Sequence, residues 1–269
     1  MDFTEDQILR YSRQIILSEV GGEGQQRLLN ARVALVGAGG LGSPVGYYLA
    51  AAGVGTIGVI DDDRVELSNL QRQIAHNTRR LGALKAESAR ATWEALNGDV
   101  KVVAHPVRLT AANIRGILGD YDIVVDGSDN FPTRYLVNDA CVLMRKTLIS
   151  AAVFRFEGQV MGIYPGEGPC YRCLFETPPP AGMVPSCEEA GVLGVVPGVI
   201  GTLQATEVLK AILGIGEPLR GRLLIWNALE MSFVTVKVPR NRACPVCGDH
   251  PTITGLIDGG QSCPAGGLP

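Results

Sequence analysis

The stretch from Arg32 to Asp63, RVALVGAGGLGSPVGYYLAAAGVGTIGVIDDD, confines this chain to a small set of folds. Val33 to Val36 is a short apolar run, and Gly37-Ala38-Gly39-Gly40-Leu41-Gly42 follows it at once in a G-x-G-x-x-G pattern. Ser43 to Ala52 has the small residues of a closely packed helix, and Thr56 to Ile60 reads as a second strand. That strand ends on Asp61-Asp62-Asp63, with Asp61 nineteen positions past Gly42. Strand, glycine turn, helix and strand form the frame of a nucleotide site. Glycines let the backbone approach phosphates, the helix N-terminus turns free N–H groups toward them, and an acid at the next strand end can bond a ribose hydroxyl. The bland alternative is a buried βαβ unit that tolerates glycine and holds nothing. No charge occurs from Val33 to Ile60, so a membrane span must be weighed. Eight of those residues are glycine, and the apolar pieces are strand-sized rather than one run of about 20 residues. A span is therefore rejected.

A chain of 269 residues can bury a large core as one extended domain or two small ones. Its net charge of −3 offers no basic face for nucleic acid. The opening MDFTEDQ is acidic and polar, unlike a signal peptide, and the seven cysteines do not suit a disulfide scaffold. A reducing cytoplasm is the expected compartment.

Thr4 and Gln7 form a capping-box pattern that opens a helix to about Ile16, carrying Arg10, Tyr11, Arg13 and Gln14. By themselves Arg10 and Arg13 mark a solvated helix face. Gly21 to Gly24 is expected as a loop, with a short helix from Gln25 to Asn30. After Asp63 the run Ser68-Asn69-Leu70-Gln71-Arg72-Gln73 lies just past a strand end, where open α/β sheets bind ligands. Lys85 lies inside a helix from about Leu84 to Leu96, and a lone helical lysine is ordinarily solvent-facing. His76 reads as a structural hydrogen-bonding residue. Val100 to Pro106, Tyr121 to Asp126 and Thr147 to Ala152 are further strands. The fourth ends in Gly127-Ser128-Asp129-Asn130, where an acid suits Mg²⁺ beside a nucleotide or, alternatively, caps the helix from Thr133 to Met144. This alternation predicts a Rossmann-like, mainly parallel sheet with helices on both faces.

The pattern then changes. Glu157 to Tyr164 is a strand of different orientation, and Thr177-Pro178-Pro179-Pro180 resembles a stiff tether leading to Cys187. Val195 to Leu213 is a buried helix with a potential break at Pro197. Leu223 to Leu229 and Ser232 to Val238 form an antiparallel pair. Cys170-x-x-Cys173 and Cys244-x-x-Cys247 can each span two corners of a tetrahedron, together closing a structural zinc shell; a redox dithiol is the alternative. Cys187 is either an incidental loop cysteine or a nucleophile on a mobile segment. Cys141 belongs to the core, and Cys263 has no assigned role. The expected organisation is an N-terminal helical segment (1–31), a nucleotide-binding part (32–153), an antiparallel and zinc part with the Cys187 loop (154–249), and a peripheral tail (250–269).

Together these motifs resemble the MoeB/ThiF/HesA group, bacterial relatives of ubiquitin-activating enzymes. The resemblance runs from Arg10-Tyr11-Ser12-Arg13-Gln14 to Cys247 and includes Cys187-Glu188-Glu189-Ala190-Gly191. It implies ATP-dependent adenylation of the C-terminal glycine carboxylate of a small β-grasp protein with a Gly-Gly tail, which then receives sulfur. It implies that Gly37, Gly39, Gly40, Gly42 and Asp61 hold ATP and that Asn69, Arg72 and Lys85 hold its phosphates. Asp129 would hold Mg²⁺, and Arg13 would reach the phosphates from the partner subunit of a homodimer. Cys187 matches the loop cysteine that bonds to the sulfur carrier in thiamine-type members. The rhodanese domain of some relatives is absent, so a separate sulfur donor is expected. The pathway served (molybdopterin, thiamine or tRNA thiolation) is not readable from these residues. Rival readings are an NAD-dependent oxidoreductase, a non-catalytic zinc scaffold holding a nucleotide, and a relative that adenylates a small molecule or tRNA base.

Overall fold

A computed structural model describes residues 3–180, 183 and 187–258. Its elements run α1 (Glu5–Ile15), α2 (Gly21–Asn30), β1 (Arg32–Val36), α3 (Gly42–Ala52), β2 (Thr56–Ile60), α4 (Lys85–Leu96) and β3 (Lys101–His105). They continue through α5 (Ile114–Gly119), β4 (Ile123–Asp126), α6 (Phe131–Met144), β5 (Thr147–Phe154), β6 (Glu157–Ile163) and α7 (Tyr171–Leu174). The last are α8 (Cys187–Ala190), α9 (Val195–Leu213), β7 (Arg222–Asn227) and β8 (Ser232–Lys237).

Among the described residues, eight strands form one sheet in the order β3-β2-β1-β4-β5-β6-β7-β8. The first five are parallel and the pairings from β5 onward are antiparallel, so the expected change of direction occurs within a continuous sheet. Side chains alternate across β1. Val33 and Leu35 pack with α2, α3, α4 and α9 on one face, whereas Ala34 and Val36 pack with α5, α6 and α7 on the other.

Two local expectations need correction. Gly21 to Gly24 is the first turn of α2 rather than a loop, because Gly24 fits where Val20 and Leu213 approach to about 3 Å of a would-be side chain. Burial there overrides the weak helix propensity of glycine. Pro197 does not break α9, since it sits in the first turn, where its missing N–H costs nothing. Helix α9 is long and apolar enough to cross a membrane by length and composition. Here Val196, Ile200, Ala205 and Val208 are buried in the core beneath the sheet.

Helix α1 has the expected capping box at Thr4 and Gln7. Its Tyr11 hydroxyl meets Asp99 at 3.0 Å and accepts from Asn97 Nδ2 at 2.9 Å. Gln14 donates to the Ala52 carbonyl at the C-terminal end of α3. These contacts place α1 at the end of the sheet where the parallel strands begin.

Candidate functional site

Strand order reverses between β1 and β4, because β1 feeds α3 on one face and β4 feeds α6 on the other. A crevice must open past the C-terminal ends of these strands. Register makes it level: Val36 pairs with Ile60 on one side and Asp126 on the other, so Gly37, Asp61 and Gly127 lie one step beyond a common row. A cleft of about 1140 Å³ occupies this position.

Its floor is the glycine loop. Gly37 has φ +93°, and a side chain there would also strike the Gly127 carbonyl. Gly42 lies so close to Gly37 that a Cβ would stand 1.9 Å from its carbonyl oxygen. His76 fixes the loop from behind. Its Nε2 lies 2.9 Å from the Ala38 carbonyl and its Nδ1 2.9 Å from Ser88 Oγ. A carbonyl only accepts, so Nε2 carries the proton and Nδ1 accepts from Ser88. Burial lowers the His76 pKa, in keeping with this neutral form. The structural reading of His76 agrees with its place in the fold.

Asp61 lines the cleft at the end of β2, and its carboxylate accepts from the N–H groups of Ala38 and Asp63. Burial pushes its pKa up, against the Ala38 N–H and the Lys85 charge. Lys85 departs from the solvent-facing expectation. It is 7% exposed at the start of α4, and its Nζ lies 2.7 Å from Asp63 Oδ2. Backbone pairing of Lys85 N–H to the Asp63 carbonyl holds this geometry. Asn69 is buried and accepts from the Glu66 N–H, which shapes the turn before Arg72. Arg72 reaches the cleft while donating to the Ser68 carbonyl at 3.0 Å.

Across the cleft, Asp126 accepts from Ser128 N–H and Oγ, and Arg134 Nε stands 3.4 Å away. Asp126 is thus the structural acid of its turn. Asp129 is exposed at the cleft and is not the helix cap. Asn130 performs that role by accepting from the Thr133 N–H. Arg134 is buried, donates to the Ser128 carbonyl and holds the loop that presents Asp129. Neither Arg134 nor Asp63 stood out in the sequence. The available signals are a lone arginine inside an apolar helix and the third acid of the run that Asp61 opens.

Arg13 is not at the cleft of its own chain. It is exposed on α1, beyond the C-terminal end of α3, while the N-terminal end of α3 meets the glycine loop. An 11-residue helix, about 16 Å long at 1.5 Å per residue, separates the two poles.

The four cysteines Cys170, Cys173, Cys244 and Cys247 converge, with all sulfurs within 4.8 Å of one another, and can hold a metal ion. Cys170 and Cys244 Sγ are 3.6 Å apart, and Cys173 and Cys247 Sγ 3.3 Å. Zinc–thiolate bonds of about 2.3 Å at tetrahedral angles require sulfurs about 3.8 Å apart, so the set fits that ion. Asn138 and Asp139 of α6 clamp the first pair. Asn138 Oδ1 accepts from the Tyr171 N–H, and Asp139 takes Arg172 Nε and one terminal nitrogen in a fork, each at 2.8 Å. Cys141 is buried in the core, as expected. The side chain of Cys187 and all of Cys263 lie outside the described residues.

A model of the ThiF family matches residues 11–246. The chain is 57% identical to the sulfur carrier protein adenylyltransferase of Thermus thermophilus, covering 96% of this chain and 97% of that one. It is 53% identical to the SAMP-activating enzyme E1 of Haloferax volcanii, covering 90% of each. It is 49% identical to the adenylyltransferase and sulfurtransferase MOCS3 of Aedes aegypti, where it covers 96% of this chain but spans only 59% of the relative's length. Among solved structures, E. coli MccB superposes with a TM-score of 0.80 at 26% identity, covering 93% of this chain and 75% of that chain. The complex of MccB with ATP superposes with a TM-score of 0.79, also at 26% identity, over 89% of this chain and 75% of that chain.

Proposed function

Since the chain belongs to the ThiF family, we propose that it is an ATP-dependent adenylyltransferase that activates the C-terminal glycine carboxylate of a small β-grasp sulfur-carrier protein. The observation that carries this reading is the shared cleft. A glycine loop, the Asp61 carboxylate, two cations (Arg72 and Lys85) and Asp129 line one crevice at the strand-order switch.

The chemistry explains why such a set is needed. A carboxylate attacking the α-phosphorus of ATP brings two anions together, and pyrophosphate must leave. Fixed donors and cations offset that repulsion and stabilise the departing charge. On this reading the loop N–H groups and Asp61 seat the nucleotide. Asn69 shapes the turn that carries Arg72. Lys85, whose Nζ lies 2.7 Å from exposed Asp63, exchanges or shares that partner with phosphate oxygens. Arg13 joins from the other subunit of a homodimer, since its own cleft lies a helix length away. Asp129 offers a hard oxygen ligand, free of capping duty, for a magnesium ion that would neutralise charge on the leaving pyrophosphate. The Cys₄ set holds a structural zinc ion, because a closed thiolate shell leaves no position for substrate. Cys187 is the loop cysteine proposed to bond to the carrier. The sulfur comes from a separate donor, and the enzyme works in the cytoplasm.

The test is ATP–pyrophosphate exchange with and without Gly-Gly-tailed carriers. Exchange that depends on the carrier and is lost when its terminal glycine is removed supports the reading. Nicotinamide binding without any exchange would replace it with an oxidoreductase.

A further inference from the structure

Among the residues from Ser68 to Gln73 whose side chains the roles above leave unused, Gln73 is buried against the cleft, at 5% exposure. Its backbone is fully engaged, donating to the Asn69 carbonyl and accepting from the His76 N–H. Its side chain has no hydrogen-bond partner among the described residues. Oε1 is shut away from solvent and unpaired. Nε2 is the nearest group to the open side of Gly39, 3.7 Å from where a Cβ would stand. Native interiors rarely leave a buried polar atom unmet, and such exceptions call for a reason. Packing supplies none here, since methionine fills nearly the same volume without an unmet acceptor.

We infer that Gln73 is a further substrate-binding residue of the reaction proposed above, its Nε2 donating to a phosphate oxygen of ATP beside Gly39. An amide pressed against the glycine loop faces the place where anionic oxygens must lie. An N–H donor there is neutral, so it fixes the position of a phosphate without adding to the charges of Arg72 and Lys85. The amide is held on the turn that also carries Arg72, so both groups arrive at the phosphates together. The unmet Oε1 is then the penalty for presenting the other end of the amide. This inference rests on the assignment of the cleft to ATP.

The test compares wild type with Gln73→Met by calorimetric titration with ATP and with adenosine, alongside thermal unfolding without ligand. Loss of a hydrogen bond to a charged oxygen should raise the Kd for ATP about tenfold or more. Adenosine affinity should stay within about twofold, and the unfolding midpoint should hold or rise, because an unpaired buried acceptor has been removed. A Gln73→Glu variant, which presents only oxygens to the phosphates, should weaken ATP binding at least as strongly and supplies the test if Gln73→Met does not fold. Unchanged ATP affinity in Gln73→Met would overturn the inference, as would equal losses for ATP and adenosine or a lowered midpoint that accompanies the binding loss. If wild type itself neither binds ATP nor exchanges pyrophosphate, the assignment of the cleft fails instead.

Discussion

Asp139→Ala isolates the contact that ties the cysteine cluster to the sheet. Arg172 stands inside the first C-x-x-C pair and is 1% exposed. Burial works against its charge, and the Asp139 hydrogen bonds and carboxylate raise its pKa in spite of that. The guanidinium also packs over the Tyr135 ring at 4.6 Å and donates to the Glu176 carbonyl. Removing Asp139 takes its forked carboxylate partner from a buried cation. Breaking a buried pair from one side costs about 3–5 kcal/mol. At about 2–4 °C per kcal/mol for a chain of this size class, the midpoint should fall by about 6–20 °C. Differential scanning calorimetry reads the shift, and elemental analysis of the same samples reads metal retention. The double substitution Asp139→Leu with Arg172→Met removes both charges and should recover most of the loss, because the penalty lies in a buried cation that has lost its carboxylate. A single variant melting within about 2 °C of wild type would refute the argument, since that is the range expected of an inconsequential surface change.

Gly39→Ala and Gly42→Ala should separate ligand approach from folding. The first meets nothing nearer than Gln73 Nε2 at 3.7 Å and should melt like wild type while losing ATP affinity; the second would place its Cβ 1.9 Å from a carbonyl and should fail to fold stably. Stability should fall on acidification below the ordinary histidine value of 6.5, because burial depresses the folded pKa of His76, and of His105 likewise, so the unfolded chain takes up protons first. The advantage of wild type over His76→Gln in denaturant unfolding should therefore be largest near neutral pH and shrink toward about pH 5; a constant difference would show that His76 does not carry this dependence. Arg13→Ala and Lys85→Ala enzymes should each be nearly inactive. After subunit exchange, equal mixtures should regain about a quarter of wild-type activity, because half the dimers then hold one intact site. No recovery with exchange confirmed would refute the assignment of Arg13 to the partner's site.

The parts of this site that were legible in the sequence are local. The glycine loop, Asp61 at the following strand end and the two C-x-x-C pairs each announce themselves within a few residues, because turn geometry and metal-ligand spacing are short-range constraints. Helical context alone points Lys85 to solvent, since its partner Asp63 lies 22 positions earlier and meets it only when the β2–α4 connection folds. The Arg172–Asp139 fork joins residues 33 apart on different helices, and no periodicity signals it. Short helices such as α5 and α7 leave no sequence signal because their few residues show no helical period. Gly21 to Gly24 misled in the other direction: a run that favours a loop becomes a helical turn when Gly24 is pressed between Val20 and Leu213.

Attack of the carrier's terminal carboxylate on the α-phosphorus of ATP is tested most directly by isotope. A carrier bearing heavy oxygen in its C-terminal carboxylate is incubated with enzyme, ATP and magnesium, and the acyl adenylate is then released with hydroxylamine. One carboxylate oxygen bridges to phosphorus in the adenylate and remains there when nitrogen attacks the carbonyl. Heavy oxygen should therefore appear in AMP, with pyrophosphate unlabelled. Unlabelled AMP, or label carried into inorganic phosphate through attack at the γ-phosphorus, would contradict adenylation of the carrier tail.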